Sequence, residues 1–215
     1  MNGKMQERKR TSVKMPGIKL GSLTKTGIAA LMLQLLFPRR CPACDGIVRP
    51  MGEKLCTECM GSLKLLTPPW CMKCGKKVTG RKEYCMDCSR KEHEFIRGRG
   101  LYEYESAALS IYRFKYGGQE YAPFYGEQAA EYLGDFVRSI QPDGLVPIPL
   151  HKKRKRARGY NQAELLARAI GDKLGVPVYS DFLSRDKNTE PLKYQNPEER
   201  QNNLKKAFNI TANVV

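Results

Sequence analysis

A chain of 215 residues has room for one ordinary domain and a small second module, and its 38 Lys and Arg against 22 Asp and Glu leave a formal charge of +16. Concentrated positive charge favours polyanions: nucleic acid, anionic lipid or a phosphorylated small molecule. A membrane-spanning helix needs about 20 consecutive apolar residues, and no such run occurs, so none is expected.

Residues 1–37 read as a basic tail followed by a short apolar helix. Within residues 1–40, nine Lys and Arg face a single acid, Glu7. A solvated tail accounts for most of that charge. The run Ile28–Phe37 resembles the core of a secretion signal, but Pro38-Arg39-Arg40-Cys41 offers no small-residue cleavage site. A helix packed on the following module and stopped by Pro38 is expected instead. The expected compartment is therefore the cytoplasm, where thiols stay reduced.

All eight cysteines fall in one stretch as four Cys-x-x-Cys pairs: Cys41/Cys44, Cys56/Cys59, Cys71/Cys74 and Cys85/Cys88. Turn formers follow the first and third pairs, at Asp45-Gly46 and Gly75. One such pair supplies two thiolates from a tight turn, and Zn²⁺ takes four tetrahedrally. Eight sulfurs thus complete two Cys₄ sites. Disulfides or redox pairs fit less well, because neither a cleavable signal nor a βαβ redox context accompanies the cysteines. A closed Cys₄ shell is structural rather than catalytic, and it leaves His93 as a surface residue. Pairing the ligands in sequence gives two stacked ribbons over residues 38–92, although spacing alone also admits a crossed arrangement. Apolar residues are sparse there, so each metal must supply about 10 kcal/mol or more of folding free energy. On this basis the ribbon module is expected to fold independently.

Beyond Cys88 the cysteines vanish and helical periodicity begins. Ala108, Ile111, Tyr112 and Lys115 share one face of a helix over 105–116, which ends at Gly117-Gly118. A longer helix is predicted over 121–140, with Tyr121, Phe124, Tyr125, Gln128, Ala129, Tyr132, Leu133, Phe136, Val137 and Ile140 on the core face. Leu145–Ile148 reads as a strand entering a basic loop, Lys152-Lys153-Arg154-Lys155-Arg156 with Arg158. A helix follows from Tyr160 to Leu174, stopped by Gly175 and Pro177. Val178–Leu183 and Leu204–Ile210 are further strands, separated by a polar segment, 188–203, read as a mobile loop. Strand, helix, strand with cations at the first strand's end is α/β logic, and phosphates bind at such turns.

The order of these motifs resembles the ComF family, proteins related to phosphoribosyltransferases and associated with DNA uptake. The resemblance rests on Val146-Pro147-Ile148-Pro149-Leu150-His151, Arg154, Arg158-Gly159-Tyr160-Asn161-Gln162 and Leu165-Leu166-Ala167. The cysteine module in front, Lys115-Tyr116-Gly117, and the later Arg200, Asn203 and Ala207-Phe208 extend it over about residues 30 to 213. It implies an α/β architecture: a double zinc ribbon, then a type I phosphoribosyltransferase-like domain over 93–215 with a parallel sheet. It further implies phosphoribosyl pyrophosphate with Mg²⁺ as ligand in full-length relatives. Pyrophosphate would fall to His151, Lys152, Arg154, Arg158, Gly159, Asn161 and Gln162. A flexible lid would carry Lys193, Gln195, Arg200 and Asn203. One departure lies in that lid, where Leu192 replaces the usual Gln and Gln195 follows three residues later.

Relatives continue with a strand, two adjacent acids and a Thr-Thr-Gly turn that cradle phosphoribose. Here the adjacent acids are Glu198-Glu199 alone, and Ala212–Val215 resembles only the opening of that strand. The expectation is a protein truncated before the phosphoribose loop, catalytically inactive and marginally stable over 98–215. The competing expectation is a zinc-ribbon adaptor for single-stranded DNA. The resemblance suggests a DNA-translocating helicase and recombination-loading proteins as its partners.

Overall fold

The computed structural model describes residues 36–50, 52–189, 195–204 and 207–211. The expected helix over 28–37 lies outside them but for its last two residues, as do Leu192, Lys193 and Ala212–Val215. Every element below belongs to one compact unit, Arg39–Val215.

Two ribbons repeat the same local design. In the first, Cys41 N–H donates to Gly46 O at 2.7 Å and Asp45 N–H to Cys41 O at 2.8 Å. In the second, Cys71 donates to Lys76 O at 2.7 Å and Gly75 to Cys71 O at 2.9 Å. Each turn needs a left-handed residue after the second cysteine, met by Asp45 at φ 66° and Gly75 at φ 74°. At Gly75 space forbids a side chain as well, since a Cβ would lie 2.7 Å from the Gly98 carbonyl oxygen. A short helix, α1 (Met86–Arg90), closes the second ribbon.

Helices α2 (Tyr104–Lys115) and α3 (Ala122–Ile140) follow, joined through Gly117-Gly118 and a 3₁₀ turn over Gln119–Tyr121. Their buried residues Ala107, Phe114, Tyr121, Ala122, Phe124 and Tyr125 form the main core with Leu63 of the cysteine module, and Ala43 and Leu55 pack against it. Burying each large side chain contributes about 1.5–3 kcal/mol, so this aromatic cluster is the principal apolar stabiliser. The predicted stripe on α3 is buried at its N-terminal end, whereas Tyr132 and Ile140 are exposed.

Helix α5 (Gln162–Leu174) packs along α3 at a close crossing, where Gly126 sits against Ala169. Asn161 caps its start by accepting from Ala163 N–H at 3.1 Å, and Gly175 ends it in the left-handed region at φ 69°. The expected basic loop is a helix, α4 (Lys152–Arg158), with His151 at its N-cap and Gly159, φ 87°, at its end.

The strands are shorter than expected. Leu145 and Val178 form one parallel bridge, with Leu145 N–H on Pro177 O at 2.8 Å and Tyr179 N–H on Leu145 O at 2.9 Å. Residues 145, 147 and 149 turn their N–H positions to the same edge, and two of them are proline. The ladder therefore cannot continue along that edge. Strands β1 (Leu183–Arg185) and β2 (Phe208–Ile210) pair antiparallel, in register Leu183↔Ile210 and Arg185↔Phe208. The polar segment read as a loop contains helix α6 (Pro197–Leu204). Asn196 and Glu199 cap it reciprocally, each side chain accepting from the other's backbone N–H at 2.9 Å.

Candidate metal centres and basic helix

The eight sulfurs gather into two tetrads, Cys41/Cys44/Cys56/Cys59 and Cys71/Cys74/Cys85/Cys88, with the ligand atoms in each within 4.8 Å of one another. The pairing is sequential, not crossed. All eight are free thiols. Sulfur separations of 3.2 Å for Cys56–Cys59, 3.5 Å for Cys44–Cys56 and 3.6 Å for Cys41–Cys56 are far beyond a disulfide bond. They approach the roughly 3.8 Å edge of a tetrahedron with metal–sulfur bonds of about 2.3 Å. In the second tetrad Cys74 and Cys85 stand 3.7 Å apart.

The surroundings favour thiolates as well as distances do. Burial opposes ionisation of Cys41 and Cys71, but backbone N–H groups around each sulfur outweigh it and bring the thiols to about 7 and about 6. The donor set thus fits Zn²⁺ in two closed, structural sites. His93 is not a ligand; it stacks on Phe95 with ring centroids 5.0 Å apart.

The first tetrad is wired into the helices. Ser110 Oγ donates to Pro42 O, Arg113 Nη1 to Ala43 O at 2.7 Å, and Tyr121 Oη to Asp45 Oδ1. Burial, then Asp45, raises the Tyr121 phenol well above its ordinary range, so it remains a donor. The second tetrad touches the same region through Arg99. Its guanidinium lies 4.5 Å from the Trp70 ring centre and 5.4 Å from that of Phe136.

The residues expected to hold pyrophosphate are brought together at α4, but they divide into two kinds. Lys152, with Lys153, Lys155 and Arg156, faces solvent, while His151, Arg154 and Arg158 are half-buried. His151 Nδ1 accepts from Lys153 N–H at 3.3 Å. Arg154 donates to Thr189 O. Arg158 donates to Gln162 Oε1, and its guanidinium lies 5.1 Å from the Tyr116 ring centre. Asn161, only 6% exposed, is committed internally: besides capping α5 it donates to Ile148 O at 3.1 Å. Tyr160 Oη donates to Phe114 O at 2.6 Å and accepts from Gly117 N–H at 3.1 Å. That clasp ties the Lys115-Tyr116-Gly117 segment to the Arg158-Gly159-Tyr160 turn.

Of the expected lid residues, Gln195 accepts from Asn203 Nδ2 at 3.1 Å, and Arg200 lies within α6. They sit on and beside a capped helix. Sequence reasoning missed Arg185, whose guanidinium reaches Thr189 beside Arg154. No local motif marks it, because only tertiary packing brings the two arginines together.

Comparison with known proteins agrees with the two cysteine tetrads. The sequence profile of the double zinc ribbon domain matches residues 32–89. The chain is 29% identical over 183 residues to competence protein F of Haemophilus influenzae, covering 81% of this chain and 77% of that one. It is 30% identical over 171 residues to competence protein ComFC of Bacillus subtilis, covering 74% and 70%. A shorter match, 32% over 69 residues, links it to the DNA utilization protein YhgH of Escherichia coli, covering 32% and 30%. No solved structure matches significantly. With both cysteine tetrads formed and the likeness extending across most of the chain and of ComFC, this protein belongs to the ComF family.

Proposed function

We propose that this chain acts in competence and DNA uptake, in line with the names of its relatives, and that α4 is its phosphate-binding element. The double zinc ribbon, 38–92, serves as a folded platform. Residues 93–215 make up the phosphoribosyltransferase-like part, in which the Leu145–Val178 bridge belongs to a parallel sheet. The observation that carries this reading is α4 itself, a seven-residue helix with six Lys or Arg, capped by His151 and Gly159 beside that bridge. Such a cluster stabilises charge on pyrophosphate or on a phosphate backbone.

On this reading residues 1–215 bind phosphoribosyl pyrophosphate through α4. Phosphoribosyl transfer engages the ribose hydroxyls through paired carboxylates. The adjacent acids present here, Glu198-Glu199, lie in the first turn of α6, and Glu199 is occupied in its cap. Mg²⁺ would accompany phosphoribosyl pyrophosphate. Among the described residues no helix is long and apolar enough to cross a membrane.

Isothermal titration with phosphoribosyl pyrophosphate and Mg²⁺, repeated across a salt series, tests the proposal. Saturable, salt-weakened binding is expected. Absence of binding at low salt would overturn it. An adaptor for single-stranded DNA, working with a helicase or recombination-loading proteins, is the second reading. The second ribbon supports it, because exposed Tyr84 offers a stacking face beside its basic residues. Preference for a single-stranded oligonucleotide over heparin at equal salt would favour that reading; equal binding would reduce it to nonspecific electrostatics.

A further inference from the structure

Helix α4 cannot hold itself. Six of its seven residues are Lys or Arg, like charges three or four positions apart repel, and two turns of helix are too short to be stable alone. Its order must come from its anchors, and a continuous chain of contacts joins those anchors to the first cysteine tetrad. Pro42 and Ala43 lie between the ligands Cys41 and Cys44. Their carbonyl oxygens accept from two side chains of α2, Ser110 Oγ and, at 2.7 Å, Arg113 Nη1. The next residue of α2, Phe114, offers its carbonyl to Tyr160 Oη at 2.6 Å, and that hydroxyl accepts from Gly117 N–H at 3.1 Å. Tyr160 directly follows Gly159, the terminus of α4. Between these points the Tyr116 ring lies under the Arg158 guanidinium, 5.1 Å away, and is 63% exposed, so it holds α4 rather than the core. The second tetrad meets the helices elsewhere, where Arg99 lies against Phe136 toward the C-terminal end of α3.

We propose that Tyr116 and Tyr160 are positioning residues that couple zinc in the first tetrad to phosphate binding by α4. Zinc fixes the Cys41–Cys44 knuckle, and the knuckle holds α2 through Ser110 and Arg113. Helix α2 in turn presents the carbonyl and the ring that fasten the end of α4. When the first zinc leaves, α2 loses two fixed acceptors and α4 loses the support that gathers its cations. A cluster ordered beforehand binds an anion more tightly than one that must be ordered on binding. The coupling is reciprocal: the factor by which zinc raises phosphate affinity is the factor by which bound phosphate raises zinc affinity. This assignment rests on the phosphate-binding reading of α4 and adds its control by metal.

The experiment uses the full chain loaded with zinc, its Tyr160→Phe and Tyr116→Leu variants, and phosphoribosyl pyrophosphate as probe, with Mg²⁺ in excess so that the probe does not take zinc. Each variant is expected to bind the probe about fivefold more weakly or worse, while keeping its zinc and its helical circular dichroism. Tyr132→Leu, which alters another exposed tyrosine, on α3, should bind normally. Normal affinity in either variant overturns the role of that tyrosine. Should Tyr160→Phe lose helical signal, Tyr116→Leu decides, because its ring is exposed. Equilibrium competition for zinc with a chromophoric chelator reads the reverse direction. Saturating probe should raise the zinc affinity of one tetrad in the unmutated chain by the same factor, and of neither tetrad in the variants. A tyrosine with a merely structural role would lower stability without abolishing that factor; no rise in the unmutated chain, or an equal rise in the variants, overturns the coupling. Failure of the unmutated chain to bind the probe overturns the phosphate-binding reading, and the relay is then decided by amide hydrogen exchange. Gly159 N–H, which donates to Lys155 O at 2.8 Å, should exchange faster in zinc-loaded Tyr116→Leu than in the unmutated chain, and unchanged exchange refutes the relay.

Discussion

Replacing Cys41 by Ser should unfold more than its own ribbon. A Cys₄ site supplies on the order of 10 kcal/mol of folding free energy, and loss of one thiolate removes most of it. Whole domains are stable by only about 5–15 kcal/mol. The first knuckle also receives hydrogen bonds from Ser110, Arg113 and Tyr121, and Ala43, Leu55 and Leu63 share the core of α2 and α3. Each lost hydrogen bond adds about 0.5–1.5 kcal/mol, more for the charged Arg113. The sum exceeds what the remaining core can supply, so α2 and α3 should melt with the ribbon. Cys71→Ser should behave differently. The second ribbon joins this region chiefly through Arg99 on Trp70 and Phe136 and through the Lys77–Glu103 ion pair. The Arg99 contacts amount to about 1–2 kcal/mol, and the solvent-exposed ion pair is screened. Far-ultraviolet circular dichroism with zinc analysis separates the two cases. Cys41→Ser should lose most helical signal, whereas Cys71→Ser should lose one zinc and retain the helices. Equal helix loss in both variants, or in neither, would refute this assignment of the first tetrad. The same experiment tests the expectation of an independently folding ribbon module, whose first half shares a core with the helices.

Three smaller perturbations test other parts of the fold. Gly126→Ala places a Cβ 2.6 Å from Ala169 Cβ and should cost about 1–3 kcal/mol by forcing α3 and α5 apart, so an unchanged melting temperature would contradict the close crossing. Tyr160→Phe strands the Phe114 carbonyl and the Gly117 N–H, with an expected loss of about 1–3 kcal/mol in denaturant unfolding; neutrality would mean that the clasp is not formed. Glu127 is held below the ordinary carboxylate range by Lys54 first and then Lys173, so its contribution is present above its unfolded pKa and is lost as pH falls through the depressed folded value. The stability difference between the unmutated protein and Lys54→Met should accordingly shrink on acidification, and a difference constant from neutral pH to about 3 would refute the pairing.

Legibility followed how local the determining chemistry is. The tetrads were readable because ligand type and spacing act within single turns, down to the left-handed residues Asp45 and Gly75. Helix α3 was readable from its period, but the extent of its buried face was not. Gly126, where α5 comes close, and Ala129 are buried, whereas Tyr132 is exposed. Helix α4 hid behind its charge. Six cations in seven residues repel one another along a helix, and its formation depends on the His151 cap, the Gly159 terminus and the inward anchoring of Arg154 and Arg158. Helix α6 was missed for the opposite reason. Its Asn196-Pro197-Glu198-Glu199 start is a readable capping signal, but no apolar period follows it. The strand at Leu145 was legible as a strand, yet the prolines at 147 and 149 set how far it could pair. Arg185 had no signal at all: its significance comes from meeting Arg154 across a fold that joins β1 to α4. A charged residue in a short strand reads as surface until the packing shows that it and a second arginine from a distant helix donate to the same threonine.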